Sequence, residues 1–204
     1  MFSNCFYINL DERKDRREHV EMQLNWMGIT GERFSAVKTK FGAIGCTMSH
    51  IKCLEMAKER DYDMVFICED DIQFISKDTL QNSVNKFMET VKEWDVCIIG
   101  GNNGRPFKPV NEICVQVQNC QTTTGYVVKK HYYDVLLKNF RESVQNLIRS
   151  QNIRLHALDI YWKQLQGRDK WFLLIPIMAY QKEGYSDIEK KNVDYRRMMA
   201  NYDK

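Results

Sequence analysis

In its first hundred residues the chain alternates short apolar runs with longer amphipathic ones. Residues 5–10 (CFYINL) form an apolar run closed by charge, as a buried strand does. In residues 11–27, Val20, Leu24 and Met27 recur at helical spacing and stop at Gly28, a C-terminal cap. Past a glycine-containing loop, Ser49 is placed as the N-cap of a helix whose Ile51, Leu54 and Ala57 share a face and which ends near Arg60. Residues 64–68 (MVFIC) are apolar without alternation, the mark of a strand buried on both sides. Leu80, Val84, Phe87, Met88 and Val91 make an amphipathic helix behind Asp78, and residues 95–99 are a further strand before Gly100 and Gly101. The repeated βαβ order predicts a parallel-cored α/β sheet with helices on both faces.

Beyond Gly104 the pattern changes. Strands are expected at 113–117 and 125–128, then a helix with Leu136, Phe140, Val144 and Leu147 on one side, then the run WFLLIPIMAY, where Pro176 marks an edge, a bend or a strand start. This mixed second half completes the sheet. With no Pro/Ser-rich linker, low-complexity tract or internal repeat between the halves, residues 1–204 count as one domain.

The apolar run at 64–68 ends in Glu69, Asp70 and Asp71. Ligands of open α/β sheets sit beyond the carboxyl ends of strands, where this cluster falls. Three carboxylates at such a place repel one another and lose hydration unless a cation or hydrogen bonds neutralise them. Glu69 and Asp71 share one face of an extended chain and Asp70 the other, so Glu69 and Asp71 are the expected pair for Mn²⁺ or Mg²⁺, a cation that keeps positions free for phosphate oxygens. A solvated turn after a strand is the plainer alternative.

The stretch GAIGCTMSHIKCLEMAKERDYDMVFICEDDIQF resembles the hallmark of glycosyltransferase family 25, which holds lipooligosaccharide glycosyltransferases and collagen hydroxylysine β-galactosyltransferases. FYINLDERKDRR, Gly45-Cys46-Thr47-Met48-Ser49-His50 and Glu69-Asp70-Asp71 follow in the family's order, and residues 124–128, Asp159-Ile160, Tyr180-Gln181 and Ser186-Asp187-Ile188 match more loosely. The resemblance implies a GT-A fold, a single nucleotide-sugar-binding domain with a mixed, mainly parallel sheet flanked by helices. Residues 1–104 would form the nucleotide-binding half and 105–204 the acceptor-side half. It further implies a metal-dependent, inverting transfer of a hexose from UDP-galactose or UDP-glucose to a hydroxyl of a glycan, glycolipid or hydroxylysine-type acceptor. The chain lacks a histidine near its C-terminus, where many GT-A enzymes have a third metal ligand. Gln181, a water, or weak metal dependence would account for that.

Other candidates follow from their positions. Asn9, Arg13, Arg16 and Arg17 come after the first strand, where a nucleotide approaches and guanidinium groups suit phosphate and base edges; a solvated basic helix face is the alternative. Ser49 and His50 are placed in the first turn of a helix, where free N–H groups suit a phosphate or sugar oxygen, although a cap and a structural histidine also explain them. Asp70 is assigned to the nucleotide side. Of Thr122, Thr123 and Thr124, Thr124 is the one expected to line the donor sugar. Trp162 and Trp171, lying in apolar runs, are expected in the core. Asp159, ahead of IYWKQL, is the candidate general base, with Asp187 in reserve; a first-turn carboxylate is the structural alternative.

Composition narrows the rest. Lys and Arg total 30 against 27 Asp and Glu, and the net +3 is too small and scattered to argue for nucleic acid. Seven cysteines, with no CxxC pair, read as buried free thiols of a reducing compartment. The first residues lack signal-peptide features, and no apolar run approaches the roughly 20 residues of a membrane span. The expected location is the cytoplasm, or a soluble domain of a longer protein. Two rival functions stand beside transfer. A Mg²⁺-dependent phosphohydrolase needs an Asp-x-Asp-x-Thr near the first strand, which NLDERKD does not offer, and a non-catalytic nucleotide-sugar or glycan-binding module would not turn over donor.

Overall fold

The computed structural model describes all 204 residues. Eight strands form the central sheet: β1 (Cys5–Asn9), β2 (Glu32–Ser35), β3 (Met64–Glu69), β5 (Val96–Asn103), β6 (Phe107–Asn111), β7 (Cys114–Val117), β8 (Cys120–Lys129) and β9 (Trp171–Leu174). Two short pairs stand outside it, β4 (Ile72–Phe74) with β10 (Ala179–Gln181) and β11 (Gly184–Ser186) with β12 (Lys191–Val193). The helices are α1 (Lys14–Met27), α2 (Gly42–Glu59), α3 (Lys77–Thr90), α4 (Tyr133–Ser150), the single turns α5 (Ile153–His156), α6 (Leu158–Tyr161) and α7 (Lys163–Gln166), and α8 (Arg196–Ala200).

Sheet order is β2-β1-β3-β8-β5-β9-β7-β6. The α/β class, the mixed sheet and the flanking helices agree with expectation, but the sheet is not mainly parallel. Parallel pairing joins β1 to β2, β1 to β3 and β5 to β9, whereas β8 runs antiparallel between β3 and β5, and β7 runs antiparallel to β6 and β9. The reason lies in the β6–β7 hairpin: β6 keeps the direction of β5, the chain reverses into β7, and β8 continues in the direction of β7 with no crossover helix between, so it enters antiparallel to both β3 and β5.

Period-2 alternation sorts the strand residues onto two cores. Phe6, Ile8, Val65, Ile67, Val96 and Ile98 face α2 and α4, while Cys5, Tyr7, Phe66, Cys68, Cys97 and Ile99 face α1 and α3. Both faces are buried, which is why residues 64–68 show no polar alternation. Trp162 and Trp171 are fully buried in the first core, edge to face at 5.1 Å between centroids, and Tyr126 meets Trp162 edge to face at 5.6 Å. Their expected core placement is met. All seven cysteines are free, and all but Cys46 are buried. No helix is long and apolar enough to cross a membrane.

The start of α2 departs from expectation. The helix begins at Gly42, with extended Phe41 before it, so Ser49 lies inside it instead of capping it and His50 is in no N-terminal turn. Gly42 and Gly45 are helical residues whose missing side chains admit neighbours. A Cβ on Gly45 would stand 2.2 Å from the Val37 carbonyl oxygen, and one on Gly42 would stand 3.2 Å from Ile188 Cγ1. Ser49 Oγ donates to Gly45 O and accepts from Val37 N–H, both at 2.8 Å, so the loop from β2 is tied flat against α2. Gly45→Ala is therefore expected to cost about 1–3 kcal/mol through backbone overlap, read as a lowered melting temperature. Gly167→Ala, whose Cβ would meet nothing within 4 Å, is expected to be near neutral in the same assay.

Candidate active site

The carboxyl ends of β1, β3 and β5 open onto a cleft of ≈ 620 Å³, a size suited to a small-molecule ligand. Because β8 is antiparallel, its first residues, including Thr122 and Thr123, reach the same edge. The connection that ties down the other side comes late in the chain. β10 pairs with β4 so that Gln181 stands opposite Ile72, and the β11–β12 hairpin with α8 covers the opening.

Glu69 ends β3, and Asp70 and Asp71 form the turn into β4. Glu69 Oε1 accepts from Thr123 Oγ1 at 2.7 Å and Oε2 accepts from Gln181 Nε2 at 3.1 Å. Burial alone would raise its pKa, but the adjacent His50 ring, Thr123 and the Arg16 charge outweigh it and hold the carboxyl below its ordinary value. Asp70, in the turn and not on the strand, lines the same cleft and does not point to an opposite face. Its Oδ2 accepts from Asn9 Nδ2 at 2.8 Å and its Oδ1 from Arg16 Nη1 at 2.9 Å. Asp71 Oδ2 accepts from the same Arg16 nitrogen at 3.0 Å, while Asp71 Oδ1 is buried without a partner. Burial first, and then the Glu69 charge, push the Asp71 carboxyl up to about 7 against the opposing pull of Arg16. Arg16 Nη2 also donates to Tyr185 O at 2.9 Å, joining the acidic turn to the covering hairpin.

Asp159 lies in the first turn of α6 and lines the cleft. Its Oδ2 accepts from Thr122 N–H at 3.0 Å. Thr122 has φ +72°, a conformation β-branched residues strongly resist, and that backbone directs its N–H to the carboxylate. Burial raises the Asp159 pKa, with the Thr122 N–H opposing and the Glu69 charge adding to the rise.

Arg16, Ser49, His50, Glu69, Asp70, Asp71, Asp159, Gln181 and Asp187 thus line one cleft. Four of the residues singled out from the sequence do not. Asn9 is buried behind Asp70 and also donates to Arg13 O. Arg13 pairs with Asp15 and, at 2.5 Å, with Asp187. Arg17 points away and pairs with Glu21 at 2.8 Å on the outer face of α1. Thr124 is fully buried facing Gly100, on the opposite side of β8 from Thr123, which therefore takes the cleft position expected of Thr124. Ser49 reaches the lining as the tether of the β2–α2 loop, and Gln181 turns its amide nitrogen to Glu69, holding that carboxylate in place.

Residues not singled out from the sequence also belong here. Cys46 lines the cleft one helical turn before His50, and Tyr126 Oη lies 2.9 Å from His50 Nδ1 behind it. The Cys46–His50 spacing of four was visible, but it becomes a shared face only once α2 is known to start at Gly42.

Residues 40–160 match the model of glycosyltransferase family 25, described as an LPS biosynthesis protein family. Procollagen galactosyltransferase 1 of Danio rerio is 24% identical over 251 residues, covering 100% of this chain but 41% of that protein, so the chain spans about two fifths of its relative's length. Among solved structures, apo-UDP-glucose pyrophosphorylase aligns over 88% of this chain and 74% of its own at 7% identity and a TM-score of 0.49. A glycosyltransferase involved in glycosylation of the major capsid of PBCV-1 aligns over 84% and 92% at 9% identity and a TM-score of 0.45. With the family model spanning more than half of its residues, including the acidic turn and Asp159, the chain belongs to glycosyltransferase family 25.

Proposed function

We propose that the chain transfers a hexose from a UDP-sugar, UDP-galactose or UDP-glucose, to an acceptor hydroxyl with inversion, in a domain of GT-A type. The observation that carries this reading is Asp71 Oδ1, buried and unpartnered beside Glu69 on the cleft floor. An oxygen-rich corner with one carboxylate oxygen left unmatched fits a hard divalent cation, Mn²⁺ or Mg²⁺. Glu69 and Asp71 would hold it, and when bound it would supply charge neutralisation to the leaving diphosphate. Thr123 and Gln181 fix the Glu69 carboxylate, and Arg16 fixes Asp70 and Asp71, so the acidic turn is set before donor arrives. Asp159, its basicity raised by burial, takes the proton from the acceptor hydroxyl. The acceptor is a glycan, glycolipid or hydroxylysine-type group, entering between α5–α6 and the hairpin.

Incubating the chain with a panel of UDP-sugars and Mn²⁺ tests the proposal. Slow release of UDP from UDP-galactose or UDP-glucose, suppressed by chelator, is expected. Binding of Mn²⁺-UDP without turnover of any donor or acceptor would reduce the protein to a nucleotide-sugar-binding module.

A further inference from the structure

One wall of the cleft carries a second donor set, different in chemical character from the oxygen-rich corner. Cys46 and His50 project from the same face of α2 towards the end of β3. Cys46 Sγ is 3.9 Å from Glu69 Oε1 and His50 Nε2 is 3.6 Å from the same oxygen, with all three donor atoms within 4.8 Å of one another. His50 is fully buried and its Nε2 has no hydrogen-bond partner. Its Nδ1 is 2.9 Å from Tyr126 Oη. A bound cation would select the tautomer with Nδ1–H donating to that oxygen and the Nε2 lone pair turned to the metal, in place of the Nε2–H that otherwise faces Glu69.

We infer that Cys46 Sγ, His50 Nε2 and Glu69 form a binding site for a borderline-soft divalent cation, Zn²⁺ in particular, with the fourth ligand position open to the cleft. Zn²⁺ takes sulfur, imidazole nitrogen and carboxylate oxygen tetrahedrally at about 2.0–2.3 Å, which sets its ligand atoms roughly 3.3–3.7 Å apart. The two separations from Glu69 Oε1 come within a few tenths of an ångström of that spacing, and the sulfur and the imidazole nitrogen lie within 4.8 Å of each other. The supporting contacts are those of a built metal site: Tyr126 orients the imidazole, and Thr123 and Gln181 orient the carboxylate. A thiolate ligand favours Zn²⁺ over Mn²⁺ or Mg²⁺, so the two donor sets select different ions. On binding, the Cys46 S–H bond breaks, its proton passes to solvent and the sulfur lone pair forms the Zn–S bond, without redox change. Glu69 belongs to both sets. Zn²⁺ is therefore expected to displace the hard cation and donor, a consequence that rests on the function proposed above, whereas the site itself does not.

The test uses the full chain stripped of metal by chelator, with Co²⁺ as spectroscopic probe. One equivalent of Co²⁺ should give thiolate-to-metal charge-transfer absorption in the near ultraviolet, bleached by one equivalent of Zn²⁺. Cys46→Ser should remove the band, and His50→Ala should weaken Co²⁺ binding by roughly tenfold or more. In the wild-type protein Zn²⁺ should also protect Cys46 from alkylation, mapped by peptide mass spectrometry, a measurement that needs no variant. Absence of the band in the wild-type protein, an unchanged band in Cys46→Ser, or undiminished alkylation of Cys46 would each overturn the site. If Mn²⁺-UDP fails to bind the wild-type chain while the cobalt band appears, the donor-site reading fails and this one stands.

Discussion

Asp71→Asn is expected to abolish Mn²⁺-dependent UDP binding in calorimetry and, at the same time, to raise the melting temperature of the metal-free protein. Both effects have one cause. The Asp71 carboxyl is buried with Oδ1 unmatched and carries a pKa of about 7 against an ordinary 3.8. The folded state thus holds this proton more tightly than the unfolded chain does. Stability is lost as pH rises between those two values, and the loss is complete above about 7. The gap between the values corresponds to at most roughly 4 kcal/mol. Arg16 loses a charged partner in the variant, so a gain on the order of 2 kcal/mol at pH 8 is expected, fading towards pH 4. Binding follows the opposite course in the wild-type protein. Protons compete with the cation for Asp71, so Mn²⁺-UDP affinity should fall by up to about tenfold per pH unit below 7. Unchanged affinity in Asp71→Asn would remove Asp71 from the site.

Asp159→Asn should lower transfer turnover by roughly 10²-fold or more with Mn²⁺-UDP affinity intact. The substitution is unusually clean here. Asn Oδ1 can still accept the Thr122 N–H, so the strained backbone at φ +72° keeps its partner and the fold is unaffected, while the group that takes the acceptor proton is gone. A purely structural carboxylate in the first turn of α6 would tolerate the change. Near wild-type turnover would move the base to Asp187, whose carboxylate is already committed to Arg13 at 2.5 Å.

What was legible in the sequence is what local pattern controls. The strand run into Glu69, the helix stopped by Gly28 at φ +69°, and the core placement of Trp162 follow from apolar periodicity and one left-handed cap. What was not legible depends on partners far along the chain. Gly42 and Gly45 look like turn residues until Ile188 and the Val37 carbonyl are seen pressed against them. The direction of β8 leaves no trace in its own composition, since a strand buried on both faces reads the same either way. Thr123 and Thr124 are indistinguishable until the irregular backbone at Thr122 fixes which faces the cleft. Arg16 and Arg17 differ only by one step of helical phase, about 100° around α1, and that step separates the acidic turn from open solvent.

The antiparallel course of β8 also governs the order in which the molecule can be completed as it leaves the ribosome. β3 and β5 do not pair with each other; each pairs with β8. Until residues 120–129 emerge, both strands present an open edge, and the nascent chain carries two unfinished sheet fragments with the exposure that attends unpaired strands. The strand that joins them is the one that brings Thr123 to Glu69. The joining of β3 to β5 and the delivery of Thr123 to Glu69 are therefore one step, and a nascent chain halted before that strand holds neither; β9, which seats β7 beside β5, and Gln181, the other partner of Glu69, follow only later.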